Sequence, residues 1–172
     1  AVPLVRALRE HYPDRPLLVT TTTPTGSARV RARLGAEVHH AYLPYDLPLF
    51  LSPFMKRVRP ALLLIMETEL WPNLLHLCCR RGIPFYIVNG RLSDRSFRGY
   101  RRLRGLLAPL LAGAGGVLVQ TEADGARFRA LGTADTRVIT AGNLKFEIEP
   151  DSAEVAAGER LGVAWRTQGV EA

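Results

Sequence analysis

Short, continuous apolar runs recur along the chain instead of strictly alternating ones. Residues 17–23 (Leu-Leu-Val-Thr-Thr-Thr-Thr), 61–66 (Ala-Leu-Leu-Leu-Ile-Met), 84–88 (Pro-Phe-Tyr-Ile-Val) and 116–119 (Gly-Val-Leu-Val) are the clearest, with weaker candidates at 38–43 and 137–141. Runs of this kind suit strands of a parallel sheet covered on both faces. Helical patterns lie between them. Val2–Glu10 reads as a helix, and Ser27–Leu34 begins on a capping-type serine and stops at Gly35. Pro72–Arg81 has proline in its first turn, an apolar stripe of Leu74, Leu75, Leu77 and Cys78, and Gly82 beyond its end. Residues 122–131 end in the same way at Gly132. Strand, loop and helix repeated six times predict an α/β fold, a Rossmann-like doubly wound parallel sheet, with ligands at the carboxyl ends of its strands. Beyond Pro150 the pattern thins. Residues 151–161 suit one more helix, and 166–172 are polar, so we expect one domain over 1–150 and the start of an interdomain linker over 151–172.

Composition changes this picture little. At 172 residues, 47% hydrophobic and 23% charged, the chain suits one globular domain with a sizeable core. No apolar run approaches the roughly 18 residues a membrane span needs, and no signal segment opens the sequence. It begins directly on a helix with no leading strand, so we expect a domain cut at its front. The net charge of +7 comes almost wholly from arginine, since Lys56 and Lys145 are the only lysines. Arginine is the better bidentate partner for phosphate and carboxylate, although a genome that favours arginine codons accounts for the excess equally well. Cys78 and Cys79 are adjacent and read as reduced helix residues. His11, His39, His40 and His76 have no metal-ligand spacing, so no metal site is expected; no cofactor is expected either.

Five polar segments fall at predicted strand ends. Thr20–Ser27 closes a strand and opens a helix, placing hydroxyls, Gly26 and free amides where an anion or a hydroxyl binds. Thr23, Thr25, Gly26 and Ser27 are the candidates, and a threonine-rich capped turn is the plain alternative. The segment lacks the lysine of a P-loop. Glu67-Thr68-Glu69-Leu70-Trp71-Pro72-Asn73 follows the third strand with two carboxylates, either of which suits a general base or a sugar-hydroxyl ligand. Glu69 also suits a helix start, and Trp71 suits either a stacking platform or the core. Glu67, at the strand tip, is the stronger catalytic candidate. Residues 89–104 carry Asn89, then Arg91, Arg95, Arg98, Arg101, Arg102 and Arg104 against one acid, Asp94, a net +5 over 91–104. Tyr100, Leu103, Leu106, Leu107 and Leu110 follow at helical spacing. A basic and apolar helix of this kind suits an anionic, lipid-bearing surface, and a merely solvated arginine face remains open. Nucleic acid is disfavoured, because no reading motif or interleaved aromatics accompany the charge. Gln120, Asn143 and Lys145 lie after the fifth and sixth strands, as cleft or interdomain candidates.

Thr-Thr-Thr-Pro-Thr-Gly-Ser (21–27), Tyr-Leu-Pro-Tyr-Asp (42–46), Glu-Thr-Glu-Leu-Trp-Pro-Asn (67–73), Asn-Gly-Arg-Leu-Ser-Asp-Arg-Ser (89–96) and Gly-Asn-Leu-Lys-Phe-Glu (142–147) resemble, in order and spacing, the 3-deoxy-D-manno-octulosonic acid (Kdo) transferases. The resemblance covers about residues 1–150. It implies the N-terminal half of a two-domain, GT-B glycosyltransferase that moves Kdo from CMP-Kdo to lipid A precursor, with inversion, in lipopolysaccharide core biosynthesis. It further implies work at the cytoplasmic face of a bacterial inner membrane. By the same resemblance this half takes the acceptor, and Glu67 and Glu69 form an essential carboxylate site; the charge of Arg91, Arg95, Arg98 and Arg101 then suits the phosphates of such an acceptor. The family's Gly-Glu segment, whose glutamate is implied as the base, its N-terminal anchor and its CMP-Kdo domain have no counterpart in these residues, so this chain alone is expected to be inactive. Two alternatives stand beside it: a non-catalytic module that docks on anionic membrane, and a transferase that uses another nucleotide sugar.

Overall fold

The structure is a computed structural model that describes residues 2–67 and 69–144. Lys145 and the segments 151–161 and 166–172 lie outside the described residues. In chain order the elements are α1 (Val2–His11), β1 (Leu18–Thr21), α2 (Pro24–Leu34), β2 (His39–Tyr42), α3 (Pro48–Val58), β3 (Leu63–Met66), α4 (Pro72–Arg81), β4 (Phe85–Gly90), α5 (Asp94–Arg102), α6 (Arg104–Ala112), β5 (Gly116–Val119), α7 (Glu122–Leu131) and β6 (Val138–Thr140). All six expected strands form, each at or within the expected bounds except β4, which runs on to Gly90.

Every strand pairing is parallel. Hydrogen bonding divides the strands into a pair, β1-β2, and a quartet in the order β3-β4-β5-β6. The main core belongs to the quartet and its helices: Leu75, Phe85, Ile87, Val117, Val119 and Phe128 are all essentially inaccessible. Cys78 is buried among them, and burial, helped by neighbouring Cys79, pushes its thiol up to about 11.

Three local readings change. α2 starts at Pro24, not Ser27, because Thr23 is its cap: the Thr23 hydroxyl accepts from the Gly26 amide at 3.1 Å. Ser27 is buried inside the helix. α3 is an element that the sequence pattern did not predict, since Pro48 and Pro53 both fall in it. Pro48 sits at the first turn, where proline is tolerated, and Pro53 is carried within the helix against its usual tendency. Finally, the basic stretch does not run on as one helix. Leu103 ends α5 and begins α6, and it leaves helical geometry at φ −101° and ψ 15°.

That break redistributes the leucines. Leu107 and Leu110 turn into the core, whereas Leu103 and Leu106 are exposed. The apolar stripe expected beside the arginines is therefore half core packing.

Candidate active site

The strand ends carry the chemistry. The ladder between β3 and β4 pairs Met66 with Val88, which sets Glu67 beside Asn89 at neighbouring tips. Both residues adopt left-handed backbone, Glu67 at φ 59° and Asn89 at φ 55°. Such conformations are uncommon for residues with a Cβ and cluster at binding and catalytic sites. At Asn89 a local irregularity accompanies it: Ile87 pairs with Val117 and Gly90 with Val119, so β4 spends one more residue than β5 over that interval. Gly90 fits closely there, because a Cβ would meet the Phe128 ring at 3.2 Å and the Leu118 carbonyl at 3.3 Å.

The predicted residues divide by environment. Glu67 and Glu69 are exposed, and Glu69 accepts a hydrogen bond from the Trp71 indole at 3.3 Å. Trp71 also packs partly against the core, the second of the two readings offered for it. Asn89 is buried; its side-chain oxygen accepts from the Leu144 amide at 3.2 Å, and its carbonyl accepts from the Gln120 amide group at 3.2 Å. Gln120, Asn89 and the 141–144 segment thus meet at one point, with half-buried Asn143 in that segment. Thr23 and Thr25 are exposed at the start of α2. Gly26 admits the Thr23 cap closely, since a Cβ would lie 3.1 Å from that hydroxyl. Arg91, Arg95, Arg98 and Arg101 are exposed along and before α5. Arg104 instead donates to the Ala130 carbonyl at 2.9 Å.

Helices leave these tips under hydroxyl caps. Ser93 accepts from the Ser96 amide and Thr121 from the Asp124 amide, as Thr23 does for α2. α4 differs, because its cap position is Trp71, which supplies no side-chain acceptor. Asp46 does so from a distance: its carboxylate accepts from the Leu74 amide at 2.9 Å and the Asn73 amide at 3.0 Å, while the Asn73 side chain donates to the Asp46 carbonyl at 2.6 Å. A negative charge at a helix N-terminus is favourable. The contact also draws the loop after β2 against the loop that carries Glu67 and Glu69. On the other side of that loop, the Leu70 backbone hydrogen-bonds the Tyr100 hydroxyl on α5. Burial holds the Tyr100 phenol above its ordinary range, Glu69 adds to that, and the Leu70 bond opposes it.

Sequence reasoning gave Asp46, Asp124 and Arg127 no role of their own and missed an apolar surface at and after the end of β2. Tyr42, Tyr45, Leu47, Leu49 and Phe50 are all substantially exposed there, with Tyr45 81% accessible. One signal was legible: a helix that opens Trp-Pro-Asn has no cap of its own and needs an acceptor from elsewhere. Which residue answers is a matter of tertiary structure. Among the described residues, no group of three or more His, Cys, Asp or Glu side chains is arranged to hold a metal ion.

The sequence profile described as 3-deoxy-D-manno-octulosonic-acid transferase (kdotransferase) matches residues 1–148. The chain belongs to the Kdo transferase family. It is 39% identical over 166 residues to the 3-deoxy-D-manno-octulosonic acid transferase of Haemophilus influenzae, covering 96% of this chain and 39% of that one. The Bordetella pertussis transferase is also 39% identical, over 170 residues, 96% of this chain and 38% of its own. A probable mitochondrial Kdo transferase of Arabidopsis thaliana is 31% identical over 150 residues, 86% of this chain and 34% of its own. The chain therefore spans about two fifths of the length of the first two of these relatives. The parallel α/β architecture agrees with the family's N-terminal region. No helix among the described residues is long and apolar enough to cross a membrane.

Proposed function

We propose that this chain is the acceptor-binding part of a glycosyltransferase that moves Kdo from CMP-Kdo to lipid A precursor during lipopolysaccharide synthesis at the inner-membrane surface. The observation that carries the reading is the pairing of Glu67 with Asn89, two left-handed residues at adjacent strand tips, with the arginines of residues 91–101 immediately beyond. In such a transfer an acceptor hydroxyl loses its proton to a base as its oxygen attacks the sugar's anomeric carbon, and CMP leaves with the bonding pair. Glu67 is exposed at the strand end and suits the binding or activation of that hydroxyl. The Thr23–Gly26 turn offers hydroxyls and a helix N-terminus to the same sugar. Arg91, Arg95, Arg98 and Arg101 suit its phosphates. Exposed Tyr45, Leu47, Leu49 and Phe50 suit acyl chains or the membrane itself, a role the sequence reading gave to the leucine stripe.

On this reading the sheet extends beyond the described strands. β1 has a partner on one edge, β2, and β3 on one edge, β4. Helix α1 leads into β1 as the crossover of a βαβ unit would. A preceding parallel strand between those open edges would join pair and quartet, with residues 1–150 as one domain and 151–172 leading to a CMP-Kdo domain.

The test uses the full-length protein. Glu67→Ala is expected to reduce Kdo transfer to a tetraacylated acceptor by about a hundredfold to ten-thousandfold with the fold intact, the range for losing an essential acid–base or charge-stabilising group. Turnover within a few-fold of wild type would exclude Glu67, and transfer from a UDP-sugar with none from CMP-Kdo would exclude the donor assignment.

A further inference from the structure

We propose that Arg127 is a positioning residue for the arginine segment, holding Leu92 and Asp94 so that Arg91, Arg95 and Arg98 present to an anionic acceptor; the inference rests on the acceptor-binding reading above.

Asp124 and Arg127 are one turn apart on α7 and share a face of it. Between them they hold the backbone of Leu92 at both ends. The Leu92 amide donates to Asp124 Oδ1 at 2.8 Å, and the Leu92 carbonyl accepts from the Arg127 guanidinium. The Leu92 side chain is itself wholly buried. Asp124 is buried too, and its charge is compensated: the other oxygen accepts from the Thr121 hydroxyl at 2.6 Å, and the guanidinium lies 3.7 Å away. A residue fixed by both backbone groups and its side chain leaves its neighbours little freedom. Those neighbours are Arg91 on one side, and Ser93 with α5 on the other.

The second nitrogen of Arg127 binds Asp94 at 2.6 Å. Asp94 is 75% exposed and is the one acid among six arginines over 91–104. It stands four residues before Arg98 on α5, the spacing at which a carboxylate pairs with a cation on its own helix. An uncompensated carboxylate here would both occupy Arg98 and repel a phosphate. Arg127 takes up that charge from a neighbouring helix. Lysine cannot do the same work, because a single ammonium lacks the planar fork that reaches a carbonyl and a carboxylate together.

The experiment compares Arg127→Ala, Arg127→Lys, Arg95→Ala and the Arg127→Ala/Arg95→Ala double variant in the full-length enzyme. It measures acceptor KM, kcat and amide hydrogen exchange over residues 91–96. Arg127→Ala is expected to raise acceptor KM about tenfold, the scale of one charge-assisted hydrogen bond, to change kcat by less than about threefold, and to speed exchange at Leu92. Arg127→Lys is expected to keep the fold while leaving KM raised, and the double variant to be less than additive. A fall in kcat or in folded protein with KM unchanged would mark Arg127 as a packing residue and overturn the proposal. So would unchanged exchange at Leu92, or full recovery by lysine. If Arg95→Ala itself leaves acceptor KM unchanged, the acceptor-binding reading fails first and the proposal falls with it.

Discussion

The β1-β2 pair and the β3–β6 quartet are built from similar sequence and end in different states. Leu17-Leu18-Val19 and Leu63-Leu64-Ile65 are comparable apolar runs, yet every residue of β1 stays half-buried while Ile65 joins the main core. Five of the six residues of β4 are buried and three of the four in β5. Across residues 2–42 only Val5, Ser27 and Leu34 are buried. The difference is one of cover. β3, like β1, pairs on one edge among the described residues, but Ile65 shares a core with Leu51 and Met55 of α3 and Leu74, Leu75 and Cys78 of α4, whereas α2 beside β1 buries only Ser27 and Leu34. Apolar content gives a strand the capacity to be buried, and the tertiary structure decides how much of it is used.

This contrast can be tested from its strongest side first. Phe128→Ala removes a fully buried ring from the quartet core and is expected to cost about 3–5 kcal/mol by denaturant unfolding. Leu34→Ala, the most buried position near the pair, is expected to cost clearly less, about 2 kcal/mol, because its surroundings are half open and relax more easily. Equal losses would mean that the two regions unfold as one equally packed unit. Asp46→Ala cuts the link between the loop after β2 and α4, and it leaves the Asn73 and Leu74 amides without their cap. A loss of about 1–2 kcal/mol is expected, together with weaker transfer in the full-length protein on the proposed function, since the segment that follows Glu69 would lose its tie to the loop after β2. Thr23→Ala, a cap within the pair, is expected to cost about 1 kcal/mol. Its effect should appear as faster amide exchange in α2, with the quartet unchanged.

The smallest expected effect is on titration. Tyr100 has a folded-state pKa above its ordinary value, so its contribution to stability is intact below the unfolded phenol's pKa and is lost as pH rises through the folded value. In an alkaline titration followed by tyrosinate absorbance, one class of tyrosine should ionise late, and Tyr100→Phe should remove it. Cys78 has the same sign, with its folded value at about 11. A thiol reagent applied to the folded protein should therefore modify exposed Cys79 before Cys78.

Much of the fold was legible because its signals are local. Continuous apolar runs marked four strands, weaker patterns marked two more, and Gly35, Gly82 and Gly132 marked the ends of three helices. The misreadings also have local causes. Two prolines masked α3. Serine and threonine are both good caps, so Ser27 drew the assignment from Thr23. The leucine spacing through 100–110 looked continuous because nothing in the residue types marks the turn at Leu103. The neighbourhood of the candidate residues after β3, β4 and β5 was legible, since those strands are adjacent in one parallel sheet. Its wiring was not. Asp46 lies 27 residues from Asn73, and Asp124 lies 32 from the Leu92 amide it holds, separations over which no spacing rule operates.

By itself the sequence determined the parallel α/β plan, the order of the strand-end segments, the concentration of positive charge at 91–104 and the family. These depend on periodicity, glycine and proline punctuation, and residue type, all of which are written along the chain. Only the tertiary structure decided that Glu67 and Asn89 stand side by side in left-handed backbone, that Asp46 caps α4, that half the leucine stripe is core, and that Arg127 takes the charge of Asp94. Each of these follows from strand register and helix packing, which bring distant residues within hydrogen-bonding distance, and that proximity is a property of the folded chain.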